Sequence, residues 1–193
     1  MILNTNAGSS EKIEPKVGLT QAVLSGVTDM GTQDTDYGKK RQIMLTWELP
    51  KQTHVFDEDK GEQPLIRTKT FTMSLHEKSG LRKALRGMIG KDLDGDIDLF
   101  ALIGTNCMLN LVKSADDKYI NIDSITPLMD GLPACDAVEK QTFSLDEFDM
   151  GDYMKLYNWV KEKVSSSPEY KALDGTNAPL DDPSIVEDIK MPF

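Results

Sequence analysis

The sequence is poor in the side chains that most often carry chemistry: 193 residues contain two cysteines, two histidines and two tryptophans. Cys107 and Cys135 are too few for a disulfide framework and lack the paired spacing of a zinc site, so they read as reduced thiols. Neither His54 nor His76 has a third type of ligating residue beside it. A Gly-rich phosphate loop, a Ser-His-Asp set and a Cys-His set are all missing. These absences argue for a protein that is not an enzyme and needs no cofactor or metal. Nowhere does an apolar run approach the roughly 18 residues of a membrane helix, and residues 1–16 lack a basic start followed by an apolar stretch. A cytoplasmic location is expected.

What is present is polar and unevenly charged. Hydrophobic residues make up 39% and charged residues 28%, which suits one globular domain with appendages. The net charge of −10 would argue against a polyanionic ligand, yet residues 39–86 hold 11 Lys or Arg against 6 Asp or Glu, whereas residues 135–193 hold 6 against 13. A basic centre therefore precedes an acidic C-terminal part.

Hydrophobic periodicity divides the chain further. Residues 1–16 are polar and aperiodic, as a flexible N-terminal arm would be. Residues 17–30 predict a long first strand, and GTQDTDYGKK at 31–40 a hairpin loop. In RQIMLTWEL (41–49), Ile43, Leu45, Trp47 and Leu49 alternate with Gln42, Met44, Thr46 and Glu48, predicting a second strand that Pro50 ends. A charged loop spans 51–64, and a third strand 65–76. The period then changes to that of a helix, capped by Ser79 and stopped by Gly90, with Leu81, Ala84, Leu85, Met88 and Ile89 on one face. Two more strands follow at 105–113 and 118–126.

This order, three strands, a helix and two strands, is that of the five-stranded OB-fold barrel. The expected organisation is a mainly β chain: an OB-fold nucleic-acid-binding domain at 17–134, a connector and C-terminal helix at 135–164, and a flexible acidic tail at 165–193. The helix is placed at about 152–164 by Tyr153, Leu156, Tyr157, Val160 and Val164.

Two features carry a functional expectation. The first is a basic surface of Lys39, Lys40, Arg41, Arg67, Lys69, Arg82 and Lys83 interleaved with Tyr37, Trp47 and Phe71. Single-strand binding needs cations that track phosphates and rings on which bases stack. The alternative is a solvated charged face; Trp47 and Phe71 share a pleat face with the apolar set, so both core packing and stacking stay open for them. The second is the chain end, where Asp181, Asp182, Glu187 and Asp188 precede Pro192 and Phe193. A terminal ring can fill an apolar pocket while the α-carboxylate meets a cation on a partner.

That terminus resembles the acidic tip, ending in Ile-Pro-Phe, of bacterial single-stranded DNA-binding proteins, although Lys190 interrupts the acidic run and Met191 stands in place of Ile. The block from GTQDTDYGKKRQIMLTWELP through TFTMSLHEKSGLRKAL is similar to small bacteriophage proteins of the same kind, over roughly residues 17–126. The resemblance implies largely sequence-independent protection of single-stranded DNA during replication or recombination, in the bacterial host cytoplasm if phage-encoded. It also implies recruitment of replication or recombination proteins through the tip, with homo-oligomers possible. A non-enzymatic protein–protein adaptor with an OB-like barrel is the alternative. A metal-dependent nuclease is a further one, but DLDGDID (92–98) has Ile97 where a calcium loop needs Gly, Ile103 where it needs Glu, and no Lys or His at nuclease spacing.

Overall fold

The computed structural model describes residues 13–173. The fold is mainly β. Strands β1 (Gly18–Thr35), β2 (Gly38–Asp57) and β3 (Gly61–Thr72) are followed by helix α1 (Gly80–Ile89), then β4 (Asn106–Lys113), β5 (Ile120–Pro127) and the short β6 (Gln141–Phe143). Three short helices end the described chain: α2 (Met150–Lys155), α3 (Asn158–Ser166) and α4 (Pro168–Lys171). Among the described residues no helix is long and apolar enough to cross a membrane.

The expected five-stranded closed barrel is corrected to a six-stranded sheet that does not close. Its main path runs β3-β2-β1-β4-β5 with antiparallel neighbours, and β6 pairs in parallel with β1. β1 can serve two partners along one side because it is bulged. Residues 18–23 pair with β4, and after the register shift between Leu24 and Gly26, residues 26–28 pair with β6. A second shift, between Asp29 and Gly31, places Gly31 at a φ of 66° with Ser167 crowding the position of its absent Cβ.

Two expected loops turn out to be strand. The stretch 31–40 is the end of a hairpin whose turn is only Asp36 and Tyr37, with Thr35 opposite Gly38. Its polar composition reflects protrusion into solvent rather than irregular backbone. Pro50 does not end β2 either: it falls inside the bulge between Leu49 and Thr53, where no ladder hydrogen bond is lost. The strand therefore continues to Asp57.

The sheet curls around a first core in which Leu24, Leu45, Trp47, Leu109 and Ile122 meet Leu81, Leu85 and Met88 of α1. The helix has the expected caps. The Ser79 side chain accepts from the Arg82 amide, and Gly90 ends it in the left-handed conformation with its N–H on the Arg86 carbonyl. α1 lies so close to β5 that a Cβ at Gly87 would collide with the Ile125 carbonyl.

A second core covers the opposite face. Met30 and Met44 pack there against Phe143, Leu145, Tyr153, Leu156, Val160, Val164 and Tyr170. The single helix expected at 152–164 is broken at Leu156 and Tyr157 into α2 and α3, since both residues have extended backbone. The first residues of the expected tail, 165–173, are not tail: Ser167 caps α4, and Tyr170 stacks on Tyr153 with centroids 5.3 Å apart. The remainder of the tail, including Asp181, Asp182, Glu187, Asp188, Pro192 and Phe193, lies outside the described residues, as do residues 1–12 of the arm.

Buried carboxylates fasten this terminal layer. Glu48, 3% exposed, accepts from the Val138 and Glu139 amides at 2.7 and 2.9 Å. Asp29 accepts from the Gly31 and Leu145 amides and from Arg41. In the other direction Glu169 accepts from the Thr32 amide and hydroxyl, at 2.8 and 2.5 Å.

Both the close approach of α1 and the Glu169 anchor can be measured. Gly87→Ala should lower stability by about 1–3 kcal/mol in urea unfolding, because overpacking against β5 outweighs the gain in helix propensity of at most about 1 kcal/mol. Burial raises the Glu169 carboxyl pKa, but the Thr32 hydrogen bonds outweigh burial and hold it below its ordinary 4.5. A depressed folded value means that this anchor contributes fully above 4.5 and is lost as pH falls through the folded value. Amide exchange at Thr32 should accelerate over that acid range, and Glu169→Gln should remove the dependence.

Candidate nucleic-acid interface

The expected basic surface separates into free cations and cations already engaged. Tyr37 is 89% exposed at the β1–β2 turn. Beside it Lys39 and Lys40 are exposed, paired in register with Asp34 and Gln33. Lys83 is exposed on the outer face of α1. These four present their polar ends to solvent.

Arg41 does not. It forms ion pairs with Asp29 and with Asp146, the latter at 2.8 Å, and the hydrogen bond to Asp29 raises its pKa above the usual guanidinium value despite partial burial. Its charge is used to hold the 144–146 turn against the sheet. Arg82 is engaged likewise: it donates to the carbonyls of Leu75 and Leu93 and to Asp92, each at 3.1 Å, tying α1 to the segments on either side of it. Arg41 and Arg82, expected on the phosphate-binding surface, thus tie elements of the fold together.

The two rings left open by the sequence both belong to the core. Trp47 is 0% exposed and Phe71 8%, so neither offers a face to a base without opening the sheet. Their alternation with Leu45, Leu49 and Leu65 put them there.

The unclosed seam between β3 and β5 carries the remaining two cations. Leu65, Arg67, Lys69 and Phe71 occupy one side of β3 by alternation; the outer two are buried, and the inner two stand at the mouth of the core. Lys69 Nζ donates to the Ile122 carbonyl at 2.7 Å, linking β3 to β5 where no ladder forms, and lies 5.9 Å from the Phe71 ring centroid. Arg67 donates to the Ile66 carbonyl, and its buried Nε has no partner among the described residues. Burial pulls its pKa below the ordinary guanidinium value, with Glu14 opposing.

Next to this seam the structure places rings that the sequence pattern did not assign to a site. Tyr157 and Trp159, at the start of α3, are 43% and 44% exposed. With Ile66, Arg67, Thr68 and Ile120 they line a cleft of about 300 Å³. A larger groove of about 640 Å³ adjoins it, sharing Ile66 and Tyr157 and adding Phe56, Lys60, Pro64, Val138 and the carboxylates Glu48, Glu62 and Glu139. A signal for Trp159 was available: it falls outside the stripe Tyr153, Leu156, Tyr157, Val160 and Val164, so a helix there exposes it.

The 92–98 loop gathers no metal site. Asp92 is held by Arg82 and Arg86, and among the described residues no group of three His, Cys, Asp or Glu is placed to hold an ion. Compared with known proteins, the chain matches no family model and no curated sequence.

The division of the cations is open to measurement. Arg41→Ala should destabilise the protein by about 1–3 kcal/mol, since Asp29 is left buried beside an absent partner. Lys39→Ala and Lys40→Ala should each stay within about 0.5 kcal/mol of the parent in the same urea titration.

Proposed function

We propose that the protein binds single-stranded DNA, largely without regard to sequence, as an OB-type barrel left open between β3 and β5. In an OB barrel β3 and β5 are the strands that close the ring, and the path β3-β2-β1-β4-β5 with a helix between β3 and β4 is that ring cut at this pair. The observation that carries the functional reading is the placement of exposed rings and cations on the loops and seam such barrels use. Tyr37, Lys39 and Lys40 stand on the β1–β2 hairpin, Tyr119 precedes β5 at 59% exposure, and Arg67 stands at the seam. Phosphates are neutralised by the lysines, and unpaired bases stack on the rings. The acidic tip from Asp181 to Phe193 recruits replication or recombination proteins in this reading.

A specific observation also favours the adaptor reading. The groove beside Phe56 and Val138 sets three carboxylates against one lysine, which repels a phosphate backbone and suits an apolar protein segment.

Binding of oligo(dT) over duplex DNA, followed by fluorescence anisotropy across a salt series, tests the first reading. Replacing Lys39 and Lys40 together by Ala should weaken binding about tenfold at low salt and reduce the slope of log affinity against log salt by about 1.4, that is about 0.7 for each phosphate no longer neutralised. No affinity for single strands, or equal affinity for duplex, would overturn it.

A further inference from the structure

We propose that the cleft between the β3 edge and the start of α3 is a nucleotide subsite, taking one unpaired base against Trp159 and its phosphate on Arg67. It rests on the single-strand reading above and adds a binding surface where the terminal layer meets the β3 edge.

Four observations converge on this cleft. It is about 300 Å³, and its walls are an aromatic pair, Tyr157 and Trp159, two aliphatic side chains, Ile66 and Ile120, one hydroxyl, Thr68, and one guanidinium, Arg67. That is the mixture a nucleotide requires: a flat apolar surface for the base and a cation for the phosphate. No carboxylate lines it, whereas Glu48, Glu62 and Glu139 all line the adjoining groove. A strand leaving the hairpin side is thus repelled by one half of the surface and accepted by the other.

The exposure of Trp159 is itself informative. On α3 its neighbours Val160 and Val164 are completely buried beneath the layer, yet the largest apolar side chain of the helix is 44% exposed. Trp159 is not needed to cover the second core, and it is absent from that cluster. Arg67 is equally under-used. Among the described residues its Nε has no acceptor, its side chain donates to the neighbouring Ile66 carbonyl at 3.2 Å, and burial lowers its pKa. A phosphate oxygen would supply the missing acceptor. Glu14, whose charge acts on Arg67, is then a resident competitor for that cation. Finally, β3 is an edge strand, so the cleft opens beside backbone groups that no neighbouring strand occupies.

Fluorescence of the full-length chain separates this inference from the reading beneath it. Of the two tryptophans, Trp47 is fully buried, so quenching by added oligo(dT) reports on Trp159. Anisotropy of a labelled oligo(dT) measures binding independently of either ring. The expected result is quenching that saturates with the anisotropy signal. Trp159→Ala should weaken binding about tenfold and Trp159→Phe should restore most of it, within the range of about 1–3 kcal/mol for one stacked base. Arg67→Ala should reduce the salt slope by about 0.7, and Glu14→Gln should strengthen binding. Circular dichroism of each variant checks that the fold is kept. If oligo(dT) binds by anisotropy while the emission is unquenched and Trp159→Ala binds like the parent, the subsite is wrong and the single-strand reading stands. If oligo(dT) does not bind at all, both fail.

Discussion

Two carboxylates buried on the sheet, Asp29 of β1 and Glu48 of β2, set the conditions that the rest of the molecule meets. A carboxylate taken out of water must be given donors, or its burial costs several kcal/mol. Here the donors are mostly backbone amides of a segment distant in sequence: Val138 and Glu139 for Glu48, and Leu145 for Asp29, joined by the Arg41 guanidinium. The terminal layer is thus the solvation shell of charges on the sheet. Without it Met30 and Met44 would also face water, so polar and apolar requirements of the same face are met by one segment.

Covering that face has a consequence for recognition. β2 is buried on both sides from Ile43 to Leu49, which leaves no open sheet surface along that stretch on which a strand of nucleic acid could lie. In the single-strand reading proposed above, a bound strand would use what the two layers leave uncovered: the hairpin tip at Tyr37, the seam between β3 and β5, and the rim where α3 meets β3. Cations on the edge strand also protect the seam. Arg67 and Lys69, pointing inward from β3, discourage another chain from adding to that edge, and Lys69 replaces a missing ladder bond with one to Ile122. The same charges thus serve stability and remain near enough to solvent to meet a phosphate.

Much of the fold was legible because the periodicity was clean where one side of an element faces a core. Ile43, Leu45, Trp47 and Leu49 announced β2, and Ser79 and Gly90 bounded α1 to the residue. Periodicity could not show closure, since the pairing of β3 with β5 depends on how far the sheet curls. It failed at 31–40 because a hairpin projecting into solvent has no face to bury, and at Pro50 because a bulge removes the usual objection to proline. β6 was invisible for a different reason: three residues, Gln141–Phe143, form strand only because the bulge in β1 frees an edge there. The candidate site was less legible than the fold. Residue type identified Tyr37, Lys39 and Lys40, but nothing local in the sequence distinguishes Lys40, free in solvent, from Arg41, which is committed to Asp29 and Asp146.

That distinction also bears on how a chain of net charge −10 could approach a polyanion. Beyond a Debye length, about 8 Å at physiological ionic strength, exposed charges are largely screened, so binding at close range is governed by the groups nearest the ligand rather than by the summed charge. Several acids that contribute to the sum are paired locally: Asp29 and Asp146 share Arg41, Asp92 meets Arg82 and Arg86, and Asp152 meets Lys155. The cations so consumed are withdrawn from a ligand as well, which is why the number of basic residues overstates the interface. What remains for phosphate is a short set on two edges of one sheet, and its reach depends on salt more than its composition suggests. In the single-strand reading proposed above, stacking would have to add to charge, because a few exposed rings can hold an unpaired strand where so few free cations could not hold a duplex by charge alone.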